Sequence, residues 1–364
     1  MMTYPRDITD APEISAIGPE WLTTVLSQNY DGLEVQTAEI EELIQGAAVK
    51  IKVRLAYNKA GIEAGLPVTM VIKGGFGRQD PSWYNAVQAT EMYAYRDITQ
   101  VSGVDAPETY FAGFYPDPDH AVILMEDLSQ RNVIFGHALA PYTYDQAAAL
   151  IDNLAKLHAT WWDSPKLSEA PLADWLEDVH DSILGIRHSA LLEPDSWTHF
   201  ATLPRASGLP APFKDADRMQ RALEKLRRHH RKEPQTLVHG DHHIGNTYVD
   251  GDGRGGAYDW SVKTGNWAYD VPYFLANALD VADRREWERP LLGRYLRELT
   301  RHGAPAPSFE EAWWTYRTNM LFGLITWMGN GDENGQFQPE AVNAAGATRL
   351  AWAAYDLDTL GLLA

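Results

Sequence analysis

The sequence predicts an α+β fold of two lobes: a small N-terminal lobe, residues 1–127, built on an antiparallel sheet, and a larger, mainly helical C-terminal lobe, residues 128–364. Strict alternation over Val49–Tyr57 puts Val49, Ile51, Val53, Leu55 and Tyr57 on one face and Lys50, Lys52 and Arg54 on the other, the pattern of a half-exposed antiparallel strand. Further strand-like runs continue to Ala121–Glu126 and then stop. From Tyr144 onward the apolar spacing is helical, with Ile151, Leu154, Leu157, His158 and Trp161 on one face. A chain of 364 residues, 45% of them hydrophobic, can bury a sizeable core.

In chain order, Gly18-Pro19 opens a helix whose apolar face is Trp21, Leu22, Val25 and Leu26. A strand around Leu33 to Leu43 makes Ile44 to Ala48 a hairpin loop before Val49, with Gly46 as its single glycine. Pro67 to Lys73 is the next strand, and a helix from Asn85 to about Thr99 carries Glu91. Thr109 to Tyr115 and Ala121 to Glu126 complete the sheet across the turn Pro116 to Asp119, whose paired prolines restrict the backbone. Glu126 to Ser129 then leads out of the sheet, which puts the lobe boundary near Asp127. Ser164 to Lys214, rich in proline and tryptophan, reads as a subregion inserted beside a substrate site. The basic run Lys225 to Lys232 closes a helix, where cations complement the macrodipole. Helices from Phe309 to Ala364 end the chain and carry Trp313, Trp314, Trp327 and Trp352.

The densest chemistry lies in Leu237-Val-His-Gly-Asp241-His-His-Ile-Gly-Asn246, followed by Gly256-Ala-Tyr-Asp259-Trp260. Phosphoryl transfer needs an acceptor hydroxyl oriented and relieved of its proton while divalent metal neutralises the phosphate oxygens. Asp241 suits the first task; Asn246, five residues on, and Asp259 suit the second. Thr247 to Asp250 and Gly256 to Asp259 flank the glycine-rich turn Gly251 to Gly256, a short hairpin with both candidate metal ligands at its base. His239 and Asp270 are expected to support this loop structurally, and His158 to be a satisfied core histidine.

These segments resemble the superfamily of aminoglycoside phosphotransferases, choline kinases and ecdysteroid-kinase-like proteins, which share a protein-kinase-like fold. His239-Gly-Asp241 with Asn246 looks like its catalytic loop, Asp259-Trp260 like its metal-binding segment, and Leu154 to Ala159 like a helix preceding the loop. Gly265 to Val271 is similar to the segment in which an aspartate begins a buried helix, and the ecdysteroid-kinase-like branch looks nearest, on Leu154 to Trp162 and Tyr295 to Leu299. The resemblance implies Mg2+ and ATP in the cleft between the lobes, Lys73 and the loop around Gly46 on the phosphates, and Glu91 orienting Lys73. Glu126 and Leu128 would lie at the hinge that meets the adenine ring. The implied acceptor is a hydroxyl on a small molecule that is aminoglycoside-, choline- or steroid-like. Trp313, Trp314, Trp327 and the loop Gly329 to Gly335 are candidates to line its pocket.

A net charge of −19 argues against nonspecific nucleic-acid binding and against anionic membrane surfaces. The longest apolar stretch, Met320 to Met328, is too short to span a bilayer, and Met1 to Ser15 lacks the basic start and apolar core of a signal peptide. The chain has no cysteine, which removes disulfides and thiolate sites and, with those observations, gives a cytoplasmic expectation. Two rival readings stand. His239, Asp241, His242 and His243 crowd together with chemistry suited to zinc, as in a metallohydrolase, and the single-glycine phosphate loop would also suit a catalytically silent nucleotide-binding kinase-like protein.

Overall fold

The computed structural model describes residues 14, 16–45, 48–76, 82–114, 120–331 and 338–364. Gly46, the turn Pro116 to Asp119 and most of the loop Gly329 to Gly335 lie outside the described residues. The chain divides into two compact units, Met1–Val101 with Ala106–Asn132, and Ser102–Asp105 with Val133–Ala364.

The first unit is built on five strands, β1 (Val35–Gln45), β2 (Val49–Tyr57), β3 (Thr69–Gly74), β4 (Thr109–Phe114) and β5 (Ala121–Glu126), in the order β1-β2-β3-β5-β4 with every pair antiparallel. The alternation that predicted β2 is its burial pattern: Val49, Ile51, Val53, Leu55 and Tyr57 are buried while Arg54 is exposed. Helix α1 (Pro19–Leu26) starts on its proline, whose missing N–H costs nothing at a helix start, and buries Trp21, Leu22, Val25 and Leu26. Helix α2 (Ser82–Tyr93) begins three residues before the Asn85 expected from sequence and passes into a π-helix at Ala94–Ile98. A π turn holds an extra residue, so a pattern scanned at 3.6 residues per turn does not report it. The five-residue helix Lys59–Glu63, capped by Asn58 accepting the Gly61 N–H at 3.1 Å, is likewise too short to show a period.

The second unit is mainly helical: α3 (Tyr144–Trp161), α4 (Ile183–Leu191), α5 (Ala216–His230), α6 (Val271–Ala278), α7 (Val281–Arg301), α8 (Phe309–Thr318), α9 (Leu321–Met328) and α10 (Glu340–Asp356), with shorter turns between them. Thr143 and Gln146 close a capping box on α3, satisfying donors its first turn would leave open. Strands β6 (Ile134–Phe135), β7 (Thr236–Val238), β8 (Thr247–Val249), β9 (Gly255–Ala257) and β10 (Lys263–Gly265) make two small sheets, β6-β8-β9 and β10-β7. The core joins the predicted face of α3 to the fully buried helix α6 and to α7, α9 and α10.

Three histidines sit in that core around Phe322. His180 Nε2 lies 2.7 Å from His230 Nδ1, and His188 Nε2 lies 2.8 Å from Thr326 Oγ1. Burial pushes His180 down to about 2, His188 to about 3 and His230 to about 3, with His230 and Arg227 adding to the first and Arg227 and Arg187 to the second. All three fold neutral and take up protons only on unfolding, so stability is full above the unfolded histidine value and is lost as pH falls below it. Each should remove up to about 1.4 kcal/mol per pH unit below about 6.5. Urea unfolding midpoints should drop steeply between neutral pH and pH ~5. A midpoint constant over that range would contradict neutral burial.

Candidate active site

Beyond β7 the chain enters the loop 239–246, and the first turn of that loop dictates its glycine. Gly240 has φ +83°, and a Cβ there would stand 2.2 Å from the Ser261 carbonyl oxygen. Across the turn, the Ser261 N–H donates to the His239 carbonyl at 3.0 Å.

One face of α6 and its N-terminal residue grips this loop through Asp270, Tyr273 and Asn277, at the three- and four-residue spacing that aligns side chains on a helix. Asp270, fully buried, accepts the His239 N–H at 2.6 Å and the Gly240 N–H at 3.1 Å. It also accepts His158 Nε2–H at 3.2 Å, and His158 Nδ1 meets the Tyr295 hydroxyl at 2.7 Å. Asn277 Oδ1 takes the Ile244 N–H at 3.1 Å, and Tyr273 Oη donates to Asp241 Oδ1 at 3.2 Å. Asp270 thus supports the loop through backbone hydrogen bonds, as expected from sequence, and His158 is a satisfied core histidine. His239 is held by backbone on both ring nitrogens: Nε2–H donates to the Tyr258 carbonyl at 3.1 Å and Nδ1 accepts the Asp241 N–H at 3.3 Å.

The Asp241 side chain is 36% exposed. Asn246 ties back to it, with Nδ2 donating to the Asp241 carbonyl at 2.9 Å and standing 3.4 Å from Oδ2. That fixes the amide with its nitrogen on Asp241. Asn246 also accepts the Tyr258 N–H at 3.0 Å, continuing the β8–β9 hairpin in which Thr247 faces Ala257, so Asn246 and Asp259 flank the base of one hairpin. Asp259 adopts φ +58°, a left-handed conformation that aspartate tolerates better than most residues.

Tyr273 and Arg187, which the sequence did not single out, also gather here, beside His243, read from sequence only as part of a zinc cluster, and Trp327, read as a candidate to line the acceptor pocket. His243 Nε2 lies 3.8 Å from Asp241 Oδ2, and Trp327 donates its Nε1–H to Tyr273 Oη at 2.8 Å. The Arg187 guanidinium donates to the Gly329 carbonyl at 2.7 Å; burial lowers its pKa while Asp241 and Tyr273 oppose that. For Tyr273 the sequence signal is its spacing from Asp270, which becomes readable once Asp270 is known to face the loop; Arg187 carries none. Trp327 is buried at 2%, Trp313 stacks 5.3 Å from Tyr316, and Trp314 packs edge-on against His229.

In the first unit, Lys73 and Glu91 form a buried ion pair with Nζ to Oε1 at 2.5 Å. A buried charge needs such a partner, and α2 supplies it eighteen positions along the chain. Glu126 ends β5 with Oε2 accepting the Glu108 N–H at 3.1 Å and lying 3.4 Å from Arg131. Leu128 is buried at the start of a 3-10 turn that Asp127 caps, and Asp127 pairs with Lys52 at 2.7 Å. Gly46 cannot be placed against this set, since it lies outside the described residues.

The zinc reading is corrected by the same geometry. His239 has both nitrogens committed to backbone, and His243 Nδ1 accepts the Gly245 N–H at 3.0 Å. His242 turns into the core against Phe274, where burial lowers its pKa well below the usual value. Among the described residues, no group of three or more histidine, aspartate or glutamate side chains is arranged to hold a metal ion. The His239 and His242 rings do meet, edge to face at 4.9 Å, but the ring nitrogens of His239 are already taken by backbone groups, which sequence proximity conceals.

A family model described as "Phosphotransferase enzyme family" matches residues 77–313, more than half of the 364-residue chain. The chain belongs to that family. No curated protein sequence matches it. Among solved structures it is similar to an ethanolamine kinase of Plasmodium vivax, at 14% identity over 89% of this chain and 83% of that one, with a TM-score of 0.52. A choline kinase of Streptococcus pneumoniae matches at 10% identity, 93% and 98% coverage and a TM-score of 0.49. A putative aminoglycoside phosphotransferase of Ralstonia eutropha JMP134 matches at 15%, 93% and 97%, and 0.48. The first of these similarities carries the fold: an antiparallel five-stranded sheet followed by a mostly helical part, as in kinase-like proteins. Among the described residues no helix is long and apolar enough to cross a membrane.

Proposed function

We propose that the chain is a small-molecule kinase, transferring the γ-phosphoryl group of Mg·ATP to an alcohol hydroxyl. Residues 1–127 serve the nucleotide and residues 128–364 serve catalysis and the acceptor. The observation that carries this is the single hydrogen-bonded assembly of Asp241, Asn246 and the hairpin ending at Asp259, clamped by Asp270. Asp241 orients the acceptor hydroxyl and takes its proton. Lys73, held by Glu91, binds phosphate oxygens as a point charge. Glu126 and Leu128 flank the backbone that meets the adenine, and Gly46 belongs to the loop over the phosphates.

The donor set suits magnesium: Asn246 presents a carboxamide oxygen because its nitrogen is tied to Asp241, and Asp259 adds a carboxylate, both hard oxygen donors. Bound Mg2+ would neutralise charge on the β- and γ-phosphate oxygens. The chain's own contribution is then positioning, since an in-line displacement asks mainly for orientation and charge compensation. The acceptor is a small molecule with a free hydroxyl, aminoglycoside-, choline- or steroid-like.

Isothermal titration with ATP in the presence and absence of magnesium tests this. The expected result is saturable binding that weakens at least about tenfold when magnesium is chelated, as for a nucleotide held through its metal. Absence of any nucleotide affinity in the folded protein would contradict it.

A further inference from the structure

We propose that Tyr273 and His243 are positioning residues that hold the Asp241 carboxylate from two sides, and that Trp327 sets the hydroxyl of Tyr273. This rests on the reading of Asp241 as the group that meets the acceptor hydroxyl.

The direction of each hydrogen bond follows from the donor inventory. An indole N–H can only donate, so Trp327 Nε1–H occupies a lone pair of Tyr273 Oη at 2.8 Å and leaves the phenolic proton for Asp241 Oδ1 at 3.2 Å. Burial, with Asp241 second, raises the Tyr273 pKa well above the usual 10, so the phenol keeps its proton. On the other side the Gly245 N–H donates to His243 Nδ1 at 3.0 Å, which places the proton of a neutral ring on Nε2, 3.8 Å from Asp241 Oδ2. The His243 ring stands at 90° to Trp327 with centroids 5.4 Å apart, so one tryptophan packs against both partners. A carboxylate on a short side chain rotates freely about its last bond. The Tyr273 hydroxyl on Oδ1 and Asn246 Nδ2 at 3.4 Å on Oδ2, with the His243 ring standing beside Oδ2 at 3.8 Å, restrict that rotation and leave the remaining lone pairs for an incoming hydroxyl.

The test uses Tyr273→Phe, which keeps the ring and removes only the hydroxyl, alone and with Asp241→Asn. Turnover is followed as ADP release from Mg·ATP with water as the acceptor. Tyr273→Phe should lower kcat about tenfold with KM for Mg·ATP within about twofold, and should cost less than about twofold once Asp241 is asparagine. A purely structural role would give the same loss in both backgrounds and overturns the proposal; so does wild-type turnover in Tyr273→Phe. Full turnover in Asp241→Asn alone would instead sink the underlying assignment of Asp241. A second measurement decides the case even when turnover on water is too slow to follow. The indole proton resonance of Trp327 should move upfield in Tyr273→Phe, and an unmoved resonance would show that the bond does not exist.

Discussion

Asp241→Asn should depress phosphoryl transfer by about 10²–10⁴-fold, the range expected when a group that receives a proton in the transition state is removed. Affinity for Mg·ATP should stay within about twofold. The substitution isolates chemistry from architecture. Tyr273 Oη and Asn246 Nδ2 both donate toward Asp241, and an amide oxygen can still accept from one of them, so the loop keeps its shape. What asparagine cannot do is receive the hydroxyl proton. Steady-state kinetics beside nucleotide titration would check this, and equal turnover in both proteins would remove Asp241 from the mechanism.

Asp270→Ala should cost on the order of 4 kcal/mol of stability, because it strands two buried backbone N–H groups and a buried imidazole N–H together. The same change releases the turn at His239 and Gly240 that sets the position of Asp241, so activity should fall in whatever fraction stays folded. Urea unfolding of the variant measures the first effect. A loss below about 1 kcal/mol would show that water or another side chain takes over the carboxylate's role. Because Asp270 touches neither nucleotide nor acceptor in this account, the two variants separate the clamp from the base it positions.

The sheet was legible because its physics is local. Val49 to Tyr57 alternates over nine residues with one face apolar, and that register survives intact in β2. The β8–β9 hairpin was legible from its glycine-rich turn, and the Lys73–Glu91 pair only through the family resemblance, since a strand lysine before a helix glutamate is by itself an ordinary pattern. The short elements were not. Strands β7 and β10 have three residues each and pair across twenty-odd positions, with Lys263 opposite Val238, so neither carries a period of its own. Ser102–Asp105 belongs to the second unit although the chain then returns to the first. Its anchors, Asn153 on the Asp105 backbone and Tyr248 on the Asp105 carboxylate, are long-range contacts that no window of sequence contains.

The site divides the same way. Asp241, Asn246 and Asp259 stood out because their spacing along a single loop and hairpin is the pattern the proposed chemistry requires. Tyr273, Trp327 and Arg187 come from three different helices, and the Tyr273 contact to Asp241, the Trp327 bond to Tyr273 and the Arg187 bond to Gly329 exist only through the packing of the second unit. Histidines cause the opposite error. His239, His242 and His243 look like one ligand cluster in sequence, whereas the His239 and His243 nitrogens are taken up by backbone groups and His242, edge-on to the His239 ring, is buried against Phe274.

The central claim is that this chain moves a phosphoryl group from nucleotide to alcohol, and label transfer tests it most directly. ATP labelled on its γ-phosphoryl group, incubated with magnesium, the protein and a small-molecule extract, should yield label in an acid-stable organic product, and none with Asp241→Asn. Tight Mg·ATP binding by the wild-type protein with label remaining in ATP across every acceptor offered would contradict the account, and would mark the chain as a nucleotide binder without transfer.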